Sequence, residues 1–370
     1  MASRRGRILH VIPTLWSGAG DVLTHLCELQ AERDDVTVVS SALRGDLADW
    51  PAYRRRLRAA AVHHVGINTF ARVPETFWHA VEQLDDLARA WKPDVVHTHA
   101  GVPTLAWALT HRAGDAPHIA QMYSWGAGRP DWMNDMDSAG FRRADRVVCS
   151  ARKYEGILRD SGVESKRLAY VPWGVSVDRI DAALAARRPP AGVHIGFVGR
   201  VEPRKGQLDL IRAFAATRRQ IPDATLAFVG PDADAAYAAR CREEVTRRRL
   251  GAHVTWHGYV RDAARLLVNW QLFVSLSSDE GQGLAVLEAM AARVPVVVLD
   301  APGLEDFVAD GKTGRVVRTR KPADVAGAMV GALRDAKGSA RMAGVAERLV
   351  RGRYGWVRCA SAIDRLYRVR

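Results

Sequence analysis

SSDEGQGLAVLEAMAARVPVVV, residues 277–298, is the stretch on which the fold turns. The apolar run before it, LFVSLS, reads as a buried strand. GQG then makes a tight turn, LAVLEAMAA a helix and PVVVLD a second strand. Two strands that are apolar almost throughout, joined by a helical crossover, are the unit of a parallel sheet covered on both faces.

The same rhythm extends outward in both directions. HIGFVG, ATLAFVG, HVTWHG and GRVV read as further strands of one sheet. Upstream, RILHVI, VTVVS, DVVHTH, HIAQMY, DRVVCS and LAYVP form a second series. Amphipathic stretches at 22–33, 76–91, 103–113 and 151–162 separate them. Residues 184–192, rich in Ala, Arg and Pro, interrupt the rhythm. The expectation is α/β: two doubly wound, Rossmann-like domains with parallel sheets facing across a cleft. Their expected bounds are 1–172 and 193–355, with 173–192 as linker and 356–370 packing back on the first domain. A length of 370 residues suits two domains of ordinary size. Ligands of such sheets bind beyond the carboxyl ends of the strands.

Composition narrows the function classes. Hydrophobic residues are 48% and charged residues 26%, which are globular values. No apolar run reaches the ~18–20 residues of a membrane span. Pro13 and Gly18 cut the N-terminal apolar run, so a first strand is expected there and not a secretion signal. Cys27, Cys149, Cys241 and Cys359 are scattered without metal or redox spacing, which fits the cytoplasm. The formal net charge is +13, and such a chain attracts phosphate-bearing partners. The basic residues are seven lysines and 47 arginines, as codon bias alone also produces. No nucleic-acid module is visible, so nucleic acid is not expected as a partner. The run Arg54, Arg55, Arg56 and Arg58 suits either a peripheral contact with anionic membrane or a solvated helix face. No oligomeric state is implied.

Four motifs carry chemistry. In residues 277–298 the strand, glycine turn and helix N-terminus form an anion site, because free amides and the helix dipole favour a phosphate. Glu280 sits at its mouth. Glu288 lies eight residues on, about two helical turns away. Paired carboxylates there suit the hydroxyls of a sugar and a ribose. A capping acid and a surface acid fit the same spacing. An unpaired charge at Glu288, beside Leu287 and Met290, is however costly.

GFVGRVEPRKGQLDLIRAF, residues 196–214, places Arg200 at a strand end and Lys205 at a helix start. Two such cations suit a diphosphate and would neutralise a leaving nucleotide without a metal. Two solvated loop residues are the plainer reading. TLWSGAGDVLTHL, residues 14–26, offers Gly18 and Gly20 for a sharp turn, which any open α/β domain needs. DVVHTHAG, residues 94–101, puts His97 and His99 on one face of a strand. No third ligand has suggestive spacing, so no metal is expected.

Together these residues resemble family 4 of the retaining glycosyltransferases, over nearly the whole chain. EGQGLAVLEAMA is similar to that family's paired-glutamate motif, and GRVEPRKG to its arginine–lysine phosphate element. ADRVVCSA, YVPWGVSVDR and YGWVRCASAIDRLY share its character. The resemblance implies a GT-B fold, a nucleoside-diphosphate sugar donor with UDP favoured, retention at the anomeric carbon, and no cofactor or required metal. It implies that Arg200 and Lys205 bind the diphosphate, Glu280 the donor sugar and Glu288 the ribose. Gly283 and Leu284 would offer backbone amides, and Gly18 would lie near the β-phosphate. Glu280, His99, Arg200 and Lys205 are the expected catalytic set. His99 enters as a fallback. The family often carries Thr-x-His where this chain has Gln121 and Tyr123. Gln282 and Trp173 also depart from its pattern.

The implied activity is transfer of a hexosyl unit to an acceptor hydroxyl. The acceptor would be a small molecule or lipid-linked, in natural-product (antibiotic) or cell-envelope glycan biosynthesis. Segments 43–78 and 123–138 would shape the acceptor site, with Trp125, Trp132 and Met133 stacking on substrate or packing in the core. The alternative is a transferase-like scaffold without activity, acting as a binding or regulatory protein. A GT-B epimerase is disfavoured by the glutamate pair.

Overall fold

The structure is a computed structural model that describes residues 5–41, 50–67, 74–123, 125, 131–188 and 191–368. The chain divides into two compact units. One comprises residues 1–174 with 356–370, the other residues 175–355.

The first unit is built on the strands β1 (Arg7–Val11), β2 (Asp35–Ser41), β3 (His63–Ile67), β4 (Val95–His99), β5 (His118–Met122), β6 (Arg146–Cys149) and β7 (Leu168–Tyr170). They form a parallel seven-stranded sheet in the order β3-β2-β1-β4-β5-β6-β7. Its helices are α1 (Ser17–Ala31), α2 (Trp50–Ala59), α3 (Pro74–Trp91), α4 (Gly101–Ala108), α5 (Asp131–Phe141) and α6 (Lys153–Asp160). Every residue of β4 and β5 is buried, as expected of central parallel strands covered on both faces. The order reverses between β1 and β4, and the register sets His10 opposite His97 there.

The second unit opens with α7 (Val177–Ala185). It then alternates β8 (Val193–Val198), α8 (Gln207–Arg218), β9 (Ala224–Val229), α9 (Ala235–Arg247), β10 (Val254–Trp256), α10 (Ala264–Leu267), β11 (Leu272–Ser275), α11 (Leu284–Ala291), β12 (Val296–Leu299) and β13 (Arg315–Val317). Two helices, α12 (Pro322–Arg334) and α13 (Ala336–Arg353), close it. The sheet is parallel, in the order β10-β9-β8-β11-β12-β13, and reverses between β8 and β11. Phe197, Phe214, Phe228, Leu272 and Val274 fill one face of its core. Phe273, Leu287, Met290 and Phe307 fill the other.

Helix α14 (Trp356–Tyr367) belongs to the first unit and packs on α1. The Trp356 ring stacks on His25 at 4.6 Å, and Arg33 pairs with Asp364. A Cβ at Gly174 would stand 2.5 Å from Trp356 Cα, so only glycine admits this approach.

Two expectations need correction. Residues 173–192 are not a linker throughout, because they hold α7, whose Ile180 and Ala183 are buried in the core of the second unit. The amphipathic spacing of those two residues outweighs the Pro-rich stretch that follows. Strand β3, HHVGI, was not expected. It lies at the sheet edge with mixed burial, so it carries no continuous apolar run.

Candidate functional site

The second unit brings Lys205 and Glu280 together at its switch point. β8 ends at Val198, and the chain runs through Arg200 into a 3₁₀ turn, Pro203–Lys205, before α8. β11 ends at Ser275, and the chain runs through Glu280 into α11. Because β8 and β11 are neighbours, their two exit loops meet beyond the carboxyl edge of the sheet. Lys205 Nζ donates to Glu280 Oε1 at 2.6 Å, and both side chains are nearly buried, at 12% and 13% exposed. Burial pushes the Glu280 carboxyl up. The Lys205 ammonium, a Ser277 hydrogen bond and the Arg204 guanidinium outweigh it and hold the group below its ordinary value. Glu280 is therefore a carboxylate at neutral pH.

Three further arginines surround this pair, and they divide into two roles. Arg200 and Arg204 both donate to Glu202 Oε1, at 3.1 and 2.8 Å. Arg204 also donates to the Asp279 carbonyl at 2.5 Å, tying one loop to the other. Arg320 reaches in from beyond β13. It donates to the Leu276 carbonyl at 2.6 Å and the Arg204 carbonyl at 2.6 Å. Arg320 thus clamps both loops through their backbones, and Arg204 with Glu202 orients Arg200.

The turn before α11 is shaped by two glycines. Gly283, at φ +73°, is the residue from which α11 starts, and a Cβ there would stand 2.5 Å from Leu304. Gly303, at φ +97°, lets the chain pass under Glu280, whose carbonyl would lie 2.2 Å from any Cβ. Glu280 N–H donates to the Pro302 carbonyl at 3.0 Å. The first amides of α11, from Leu284, mark a helix N-terminus of the kind that attracts anions. Glu288 lies half-buried on α11, between the buried Leu287 and Ala289. Gln282 is buried in the turn.

In the first unit, Gly18 is exposed near the start of α1. His99, expected in the catalytic set, is only 1% exposed. Its Nε2 lies 2.9 Å from His10 Nδ1 and its Nδ1 2.8 Å from the Tyr123 hydroxyl. Burial holds its pKa well below that of an ordinary histidine, with His10 adding to the effect. With both nitrogens engaged inside the unit, His99 is no open base. Beside it Tyr123 is half-buried, and its ring packs on Trp173 at 5.0 Å. The sequence pair His97 and His99 acquires a third member, His10, which spacing could not show.

Trp125 packs on the first unit's core beside Phe141, at 6.5 Å between rings. Trp132 is 48% exposed on α5, and Met133 is half-buried. Residues 43–49, 68–73, 124 and 126–130 of the two expected acceptor segments lie outside the described residues. In the basic run, Arg56 pairs with Asp21 at 2.8 Å and Glu28 at 2.7 Å, so it serves the α1–α2 contact. Arg54, Arg55 and Arg58 face outward. All four cysteines are buried, with no disulfide among them. Among the described residues no helix is long and apolar enough to cross a membrane.

Comparison with known proteins gives the family and the fold. The family described as glycosyl transferases group 1 matches residues 187–348, and that described as Glycosyltransferase Family 4 matches residues 16–179. A phosphatidyl-myo-inositol mannosyltransferase of Mycobacterium leprae is 32% identical over 74% of this chain and 73% of its own length. A glycogen synthase of Mycobacterium tuberculosis is 28% identical over 75% of this chain and 69% of its own. Among solved structures, Anabaena HepE in complex with UDP and glucose superposes with a TM-score of 0.83 at 18% identity. It covers 98% of this chain and 99% of its own. Sucrose-phosphate synthase of Thermosynechococcus elongatus superposes at 0.81 with 21% identity, covering 99% and 98%.

Proposed function

This chain belongs to family 4 of the glycosyltransferases, with the GT-B fold, and from that premise we propose that it moves a hexosyl unit from a UDP-sugar to an acceptor hydroxyl with retention at the anomeric carbon. The observation that carries the reading is the Lys205–Glu280 pair at the switch point, with Arg200 beside it. A cation and a carboxylate held together there are what a sugar diphosphate needs. Lys205 would turn to the diphosphate, and Glu280 would accept hydrogen bonds from sugar hydroxyls. Arg200, with its guanidinium set by Glu202, is the second diphosphate ligand.

The chemistry asked of these residues is positioning and charge stabilisation. The bond from the anomeric carbon to the leaving phosphate oxygen breaks, and its electron pair stays on that oxygen. Lys205, Arg200 and the N-terminus of α11 would stabilise that charge. The acceptor oxygen would attack on the face the phosphate leaves, and its proton would pass to the departing phosphate. Glu288 would hold the ribose hydroxyls, and Gly18 would lie near the β-phosphate. No divalent metal is needed, because the protein's own cations supply the charge. The neighbour that holds UDP and glucose supports UDP as the nucleotide. For the acceptor, a relative named D-inositol 3-phosphate glycosyltransferase 2 supports a small molecule, and one named phosphatidyl-myo-inositol mannosyltransferase supports a lipid-linked one.

The test is donor hydrolysis against a panel of nucleotide sugars, followed by acceptor profiling. Hydrolysis of a UDP-hexose above the buffer rate supports the reading. No turnover of any nucleotide sugar, with or without acceptors, would leave the inactive-scaffold alternative.

A further inference from the structure

We propose that His10, His97 and His99 form a binding site for a late first-row divalent metal ion, Zn²⁺ foremost, inside the first unit. β1 and β4 are adjacent at the switch point, and their register pairs His10 with His97. His99 is two residues further along β4 and shares the face of His97. All three are at most 1% exposed. One ring nitrogen from each lies within 4.8 Å of the others.

The outward-facing nitrogen of every ring is already held. His10 Nε2 is 2.8 Å from Gln30 Oε1, His99 Nδ1 is 2.8 Å from the Tyr123 hydroxyl, and His97 Nδ1 is 2.8 Å from the Tyr367 hydroxyl. Gln30 is oriented by its own amide, which donates to Tyr367 at 3.1 Å and to Asp364 at 3.4 Å. Metal-bound histidines characteristically have the second nitrogen fixed in this way, which sets tautomer and ring angle.

Of the remaining nitrogens, two are paired with each other and one is left over. His10 Nε2–H donates to Gln30, so His10 Nδ1 is a bare lone pair. It accepts Nε2–H from His99 at 2.9 Å. His97 Nε2 is buried and has no hydrogen-bond partner among the described residues. A buried polar atom left in that state costs free energy. One ion would take lone pairs from His10 Nδ1, His99 Nε2 and His97 Nε2, with the His97 and His99 rings, now stacked at 4.4 Å, tilting to aim at it. The proton of His99 then sits on Nδ1 and that of His97 on Nδ1, each donated to its tyrosine oxygen. No proton is lost and no ring turns over. Three imidazoles without a carboxylate select Zn²⁺, Co²⁺, Ni²⁺ or Cu²⁺, and not Mg²⁺ or Ca²⁺. The assignment stands apart from the transferase reading, since it uses residues of the first unit alone.

The experiment uses the full chain without a histidine tag. Metal content after dialysis against micromolar Zn²⁺ should be about one ion per chain, and Co²⁺ should give the visible absorption of a nitrogen-ligated site. His97→Ala should abolish both. Gln30→Ala should weaken binding by about 10–100-fold, as loss of an orienting partner does. His79→Ala, at a 65% exposed histidine, should change neither. Should His97→Ala not fold, the wild-type Co²⁺ spectrum and the Gln30→Ala titration decide. Less than stoichiometric Zn²⁺ with no Co²⁺ band in the wild type would overturn the proposal, as would binding that His97→Ala leaves intact.

Discussion

Lys205 Nζ stands 2.6 Å from Glu280 Oε1, joining the loop after β8 to the loop after β11 although 75 residues separate them. Both side chains are nearly buried, so neither charge is left to bulk water. Loss of one partner strands the other in a poorly solvated place.

That geometry sets a pH dependence. Glu280 is held below its ordinary value despite burial, chiefly by Lys205. A carboxyl whose folded pKa is depressed adds stability above its unfolded pKa and loses it as pH falls through the folded one. Glu280→Gln should therefore be less stable than wild type by a constant amount at neutral pH. The gap should close as pH falls below about 4, from an unfolded pKa near 4.3. Urea unfolding across that range measures it. A gap that widens in acid would contradict the assigned shift.

Arg320 is expected to act on the site without touching substrate. Its guanidinium donates to the carbonyls of Leu276 and Arg204, so Arg320→Ala leaves two carbonyls short of a charged donor. Each such bond contributes about 1.5–3 kcal/mol, and the loss should be about 2 kcal/mol or more in unfolding free energy. Donor KM should rise as the loops loosen. Calorimetry and kinetics on one variant test both, and an unchanged melting temperature would show that the clamp is not needed.

Glu288→Ala should weaken nucleoside-diphosphate binding by ~1–3 kcal/mol through lost charged hydrogen bonds, with little change in melting temperature. Isothermal titration with UDP is the measurement. Wild-type affinity in a normally folded variant would remove Glu288 from the donor site.

Activity in a chelator-containing, Mg²⁺-free assay should equal activity with excess Mg²⁺, because Lys205 and Arg200 supply the positive charge at the diphosphate in the proposed arrangement. The three-histidine site bears on a different class of ion. Activity restored only by Mg²⁺ or Mn²⁺ would contradict a diphosphate site built from side-chain cations.

The two sheets were legible because buried parallel strands such as VTVVS and VVVL are apolar or small throughout, and burial is what the pattern reports. HHVGI was not, since an edge strand has no such run. Lys205 and Glu280 were legible as motif residues, but their pairing was not, for it depends on β8 and β11 being neighbours. Arg204, Glu202 and Arg320 were hidden among 47 arginines and ordinary loop acids. His10 was hidden more deeply. It lies 87 residues from His97, and only the β1–β4 register places them side by side. That His10 and Tyr123 enclose His99 was not legible, because a strand-end position does not tell which way the side chain faces. Helix α7 was masked by the prolines and arginines that follow it.

Steady-state kinetics on wild type, Lys205→Ala, Arg200→Ala and the double variant test the diphosphate assignment most directly. Negative charge grows on the leaving oxygen, so both cations should bind the transition state more tightly than the bound donor, and only that difference raises turnover. Lys205→Ala should lower kcat by ~10²–10³, more than it raises donor KM, and Arg200→Ala should behave similarly. The double variant should lose less than the sum, because both residues act on one charge. A wild-type kcat in both single variants, with only KM altered, would reduce them to substrate binders. Wild-type values of kcat and KM alike would contradict the placement of the diphosphate beside Lys205 and Arg200.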